Sequence, residues 1–127
     1  MLKPNKPLAF IIEDDEDLSV IFSGALNSAG FQTDILKNGR LAMERLGQIA
    51  PAVVILDLHL PGVSGMDILA YIRSEKRLTL TNVVVTTADA ILAEQVNDIA
   101  DMVLIKPITF SQLRDLTARL NPLNPED

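Results

Sequence analysis

Five residues spread through the chain have side chains that could do chemistry together: Glu13, Asp14, Asp57, Thr86 and Lys106. Each stands at the end of an apolar run, in "FIIEDDEDL", "VVILDLHLPG", "VVVTTAD" and "VLIKP". Carboxylates crowded at strand ends repel one another, most where they are partly desolvated. A cation between Glu13, Asp14 and Asp57 would remove that cost. Hard oxygen donors, few in number and with room for water, suit Mg²⁺ better than a closed calcium cage. A carboxylate in such a site is also a nucleophile toward phosphorus. In-line phosphoryl transfer needs charge neutralisation and positioning more than proton chemistry. The Lys106 ammonium would act as a compact point charge, and the Thr86 hydroxyl as a hydrogen-bond donor to a phosphoryl oxygen. The neighbouring acids Asp15, Glu16 and Asp17 read as a solvated cap that favours the macrodipole of the helix after them.

The elements that must carry these residues alternate along the chain. Strand-sized apolar runs cover Leu8–Ile12, Phe31–Leu36, Ala52–Leu56, Asn82–Thr86 and Met102–Ile105. Helical period predicts helices over Asp17–Ala29, Gly39–Ile49, Met66–Arg73, Ile91–Ile99 and Ser111–Leu120. Leu18, Ile21, Phe22, Ala25 and Leu26 form the apolar face of the first. Gly30, Asn38-Gly39, Pro51 and Pro61-Gly62 punctuate the pattern, and Thr109 is a natural cap for the last helix. Five βα repeats predict an α/β fold, a (βα)5 doubly wound, five-stranded parallel sheet with helices on both faces. Ligands of such sheets bind outside the carboxyl ends of the strands, where Glu13, Asp14, Asp57, Thr86 and Lys106 all fall.

Composition narrows the function classes. The 127 residues are one domain's length, 48% apolar, and carry 17 acidic against 11 basic residues, a formal charge of −6. Such a balance speaks against direct nucleic-acid or anionic-membrane contact. With no cysteine, thiol and disulfide chemistry are excluded. No apolar run approaches the ~18 residues of a membrane span, and "MLKPNKPLAF" has no signal-peptide apolar region. The expectation is a cytoplasmic protein, a single domain over 1–127 with its core at about 7–120 and 121–127 as tail or linker.

Taken together, "IIEDDED", "VVILDLHLPGVSG", "VVVTTAD" and "LIKP" resemble, in order and spacing, the receiver domain of two-component response regulators of the chemotaxis-regulator type. The resemblance spans essentially the whole chain. It implies a flavodoxin-like sheet in the order 2-1-3-4-5 and a phosphoryl group accepted by Asp57. Mg²⁺ would be held by Glu13, Asp14, Asp57 and the backbone carbonyl of His59. Thr86 would be the switch hydroxyl and Lys106 the phosphoryl-site lysine, followed by a cis bond to Pro107. It also implies a histidine kinase or histidine phosphotransfer protein as donor, an output partner or domain, and a monomer or weak dimer. No enzymatic activity is implied beyond self-phosphorylation and self-dephosphorylation. Two positions depart from the family: Val103 stands where receivers carry Tyr or Phe, and Thr87 where they carry Ala or Gly. The alternative is a phosphorylation-independent interaction module of the same fold. A hydrolase would want a second aspartate where His59 stands, and a flavin protein would want a phosphate-cradling loop where the acids are.

Overall fold

Strands and helices alternate as expected in the computed structural model, which describes residues 6–123. They are β1 (Leu8–Ile12), α1 (Glu16–Ser28), β2 (Gln32–Leu36), α2 (Gly39–Leu46), β3 (Val53–Asp57), α3 (Gly65–Ser74), β4 (Asn82–Thr87), α4 (Ala90–Val96), β5 (Met102–Ile105) and α5 (Phe110–Ala118). One 3₁₀ turn, Lys76–Leu78, joins α3 to β4. The sheet is parallel throughout, in the order β2-β1-β3-β4-β5.

Side-chain alternation along the inner strands feeds two cores. Phe10, Ile12, Val54, Leu56, Val83 and Val85 face α2, α3 and α4, where Leu46, Ile68, Ile72 and Val96 meet them. Ala9, Ile11, Val53, Ile55 and Val84 face the other way, against Phe22, Ala25 and Leu26 of α1 and Leu113 of α5. A strand covered on both sides has no use for polar alternation, which is why β3 and β4 read as unbroken β-branched runs. The edge strands β2 and β5 are half exposed instead.

Helix boundaries depart from the periodic reading by a residue or more, three of them for visible local reasons. Asp15 caps α1 by accepting from the Leu18 amide at 2.9 Å, so the helix starts at Glu16. The helix α2 ends at Leu46 because Gln48 and Ile49 fold their amides back onto the Arg45 carbonyl. At the end of α4, Ile99 and Ala100 both return to the Val96 carbonyl, and Arg73 takes the Ile99 carbonyl at 2.6 Å. On α1, Phe22, Ala25 and Leu26 are fully buried, but Ile21 is left 41% exposed, at the margin of a stripe that those three already fill. The expected tail is not wholly loose: the Asn121 side chain donates to the Ala29 carbonyl at 3.0 Å, beside Gly30, whose φ is +97°. Residues 124–127 lie outside the described residues.

Candidate functional site

Ladder hydrogen bonds continue one residue past three strand ends and so fix the backbone under each polar side chain. Glu13 donates its amide to Leu36, Leu58 to Thr86 and Lys106 to Thr87, at 3.2, 3.3 and 2.8 Å. Asp57 and Thr86 are direct neighbours in the β3–β4 register. From the far side of the sheet edge, α3 closes down on Asp57. A Cβ on Gly65, the first residue of α3, would lie 2.5 Å from the Asp57 carbonyl oxygen. Glycine is therefore required there by close approach.

The sequence-predicted residues converge. Carboxylate oxygens of Glu13, Asp14 and Asp57 all lie within 4.8 Å of one another. Lys106 Nζ stands 3.1 Å from Glu13 Oε1 and 3.5 Å from Asp57 Oδ2, although 93 residues separate it from Glu13. The peptide bond from Lys106 to Pro107 is cis. Asp57 Oδ1 accepts from the His59 backbone amide at 3.0 Å, while the His59 side chain is exposed. Asp15, Glu16 and Asp17 stay in solvent, as read from the sequence.

Electrostatics divides the acids. Glu13 and Asp57 are buried, whereas Asp14 is exposed and forms the open side of the cluster. Burial lifts the Glu13 carboxyl from its ordinary 4.5 to about 7, and the nearby Asp57 charge pushes the same way. The Asp15 amide and Lys106 oppose that shift without cancelling it. One lysine is thus shared by two buried carboxylates, Glu13 and Asp57. A divalent ion with a preference for hard oxygen donors fits this set.

Thr86 supplies the other half of the site. Its Oγ1 is fully buried and has no hydrogen-bond partner among the described residues. Leaving a buried hydroxyl unmade costs about 1–3 kcal/mol, and such groups call for an explanation. A phosphoryl oxygen delivered to the adjacent Asp57 would satisfy it. Thr87 behaves differently: its hydroxyl accepts from the Asp89 amide at 3.0 Å, and Asp89 in turn caps α4 through Ile91 and Leu92. Sequence reading missed this bridge from β4 to α4, although a Thr two residues before an N-cap Asp is the signature of a local side-chain turn.

Residues 9–118 match the response regulator receiver domain. The phosphate regulon transcriptional regulatory protein PhoB of Rhizobium meliloti is 32% identical over 124 residues, 94% of this chain and 55% of PhoB. The DNA-binding response regulator MtrA of Mycobacterium tuberculosis is 26% identical over 103 residues, 81% of this chain and 45% of MtrA. The chain thus spans about half the length of these relatives. Among solved structures, the chemotaxis response regulator CheY4 of Vibrio cholerae superposes with a TM-score of 0.82, covering 91% of this chain and 99% of its own at 18% identity. At that identity the likeness speaks for the fold alone. With most of its length matched and its strand-end acids, hydroxyl and lysine gathered at one sheet edge, the chain belongs to the response regulator receiver family.

Proposed function

We propose that the chain is a phosphoacceptor. A histidine kinase or histidine phosphotransfer protein donates a phosphoryl group to Asp57, and a partner-binding face around α4 and β5 responds. The observation that carries this reading is the buried Asp57 carboxylate beside a buried Thr86 hydroxyl that has no hydrogen-bond partner among the described residues. An Asp57 oxygen attacks phosphorus, the bond from phosphorus to the donor's imidazole nitrogen breaks, and the donor leaves with that electron pair. Lys106, already 3.5 Å from Asp57 Oδ2, balances the charge brought in by the phosphoryl oxygens. Thr86 donates to one of them.

Glu13, Asp14, Asp57 and the His59 carbonyl would hold Mg²⁺. The ion would supply charge neutralisation at the transferring group. Thr87 and Asp89 connect the end of β4 to the cap of α4, so a displacement at Thr86 reaches α4 through hydrogen bonds, with Val103 as a bystander. The chain acts on no substrate other than its own aspartate and works in the cytoplasm. Among the described residues, no helix is long and apolar enough to cross a membrane. PhoB is by name a transcriptional regulatory protein and MtrA a DNA-binding response regulator. In a chain with a charge of −6, contact with nucleic acid would fall to an output partner or domain.

The test is intact mass after incubation with acetyl phosphate and Mg²⁺. One phosphoryl increment is expected, absent without Mg²⁺ and absent in Asp57→Asn. Labelling that survives in Asp57→Asn would refute the assignment.

A further inference from the structure

Between α4 and β5 lies an open groove of about 520 Å³, lined chiefly by Ala90, Ile91, Ala93, Glu94, Val103 and Ile105. Ala90, Ala93 and Val103 are small, and their shortness leaves the space open. Ile91 is 71% exposed and Ile105 46%, so the groove presents apolar surface to solvent. Isolated exposed apolar side chains are ordinary, but a concave cluster of them marks a contact surface.

Charge states what would cover it. From Leu78 to Ile105 the chain carries Asp89, Glu94, Asp98 and Asp101 and no lysine or arginine. Two of these acids are occupied: Asp89 caps α4, and Asp101 pairs with Arg73 at 2.6 Å. Glu94 lines the groove and Asp98 follows its lining residue Asn97; both are exposed, and neither side chain has a hydrogen-bonding or charged partner among the described residues. An apolar trough flanked by free carboxylates complements a segment with apolar anchors and basic flanks.

We infer that this groove docks a cationic segment of another protein, seating a large apolar or aromatic side chain over Val103 and pairing its lysines or arginines with Glu94 and Asp98. A second copy of the chain is the wrong occupant. A two-fold contact sets the same patch on both sides, and here it would bring together two acidic stretches without lysine or arginine in a protein already at −6. Like charges set against each other cost several kcal/mol. The inference rests on the proposed role of α4 and β5 as the output face and specifies the chemistry of its partner.

The test presents the whole chain, with and without acetyl phosphate and Mg²⁺, to a display library of random peptides. Binding of the enriched peptides is then measured on wild type, on the double variant Glu94→Lys/Asp98→Lys and on Ile91→Ser. All three side chains are exposed, and thermal melts check that each variant folds. Enriched peptides should carry net positive charge and at least one aromatic or leucine, and should lose at least about tenfold in affinity in either variant. Their amide shifts on the protein should centre on Ala90–Asn97 and Val103–Ile105. Neutral or acidic peptides that depend on the groove, binding indifferent to both variants, no groove-dependent peptide at all, or a dimer that buries Ile91 would each overturn the inference. Groove binding without phosphorylation of Asp57 would refute the phosphoacceptor reading alone. Phosphorylation without groove binding would refute this one alone.

Discussion

Glutamine in place of Glu13 should make the metal-free protein more stable relative to wild type as pH rises, although it removes an ion pair to Lys106. The Glu13 carboxyl titrates near 7 in the folded protein and near 4.5 when unfolded, because burial and the Asp57 charge disfavour its ionised form. A folded state that holds a proton more tightly than the unfolded state loses stability as pH rises. The contribution of Glu13 is therefore complete below pH 4.5 and declines until pH passes about 7. At 1.36 kcal/mol for each pH unit of that interval, the full loss is on the order of 3 kcal/mol, or on the order of 10 °C in Tm for a domain of this size. Urea or thermal unfolding of wild type and Glu13→Gln, in EDTA between pH 5 and pH 8, isolates it. Every group common to the two proteins largely drops out of the difference. Any fixed cost of the amide displaces the whole difference curve without changing its slope. The difference should favour Glu13→Gln progressively as pH climbs. Parallel stability curves across the range would refute the burial argument. Mg²⁺ should reverse the trend in wild type, stabilising it more at pH 8 than at pH 5, since the ion needs the ionised carboxylate.

Thr86→Val removes the unpartnered buried hydroxyl and should raise the stability of the unphosphorylated protein by about 1 kcal/mol, measured by urea unfolding, while lowering labelling by acetyl phosphate. Asp14→Ala should abolish the rise in Tm on adding Mg²⁺ and Asp17→Ala should keep it. Equal loss in both would mean that the ion only screens an acidic surface. Gly65→Ala places a methyl 2.5 Å from the Asp57 carbonyl oxygen and 2.6 Å from Leu58 Cα. It should cost about 1–3 kcal/mol and reduce labelling of Asp57, read by unfolding and intact mass together.

What the sequence disclosed about this molecule is uneven for physical reasons. The parallel βα alternation and the gathering of Glu13, Asp14, Asp57, Thr86 and Lys106 were legible, because buried parallel strands write themselves as β-branched runs and their polar residues must fall at the ends, whereas the strand order came only with the resemblance to receiver domains. Periodicity carries no record of depth. Nothing in "EDDED" separates the buried Glu13 from the exposed Asp14, and the groups that meet Glu13, Lys106 from 93 residues away and Asp57, lie far along the chain. Arg73 shows the same limit. Its contacts with Ile99, Thr81 and Asp101 tie α3 to the connections that lead into β4 and β5, yet in the sequence it is one basic residue at the end of a helix. Val103 was visible as a departure from the family, but the groove that its small side chain leaves beside α4 is a property of packing.

The central claim is that Asp57 itself carries the phosphoryl group, and reductive mapping tests it most directly. Borohydride reduces an aspartyl phosphate to homoserine, whereas a free carboxylate or a phosphorylated hydroxyl is left untouched. Protein treated with acetyl phosphate and Mg²⁺, reduced, digested and sequenced by mass spectrometry should show homoserine at position 57 and aspartate at positions 14, 15 and 17. Homoserine at any of those three with Asp57 unchanged, or a phosphoryl group that resists reduction and maps to Thr86 or Thr87, would contradict it.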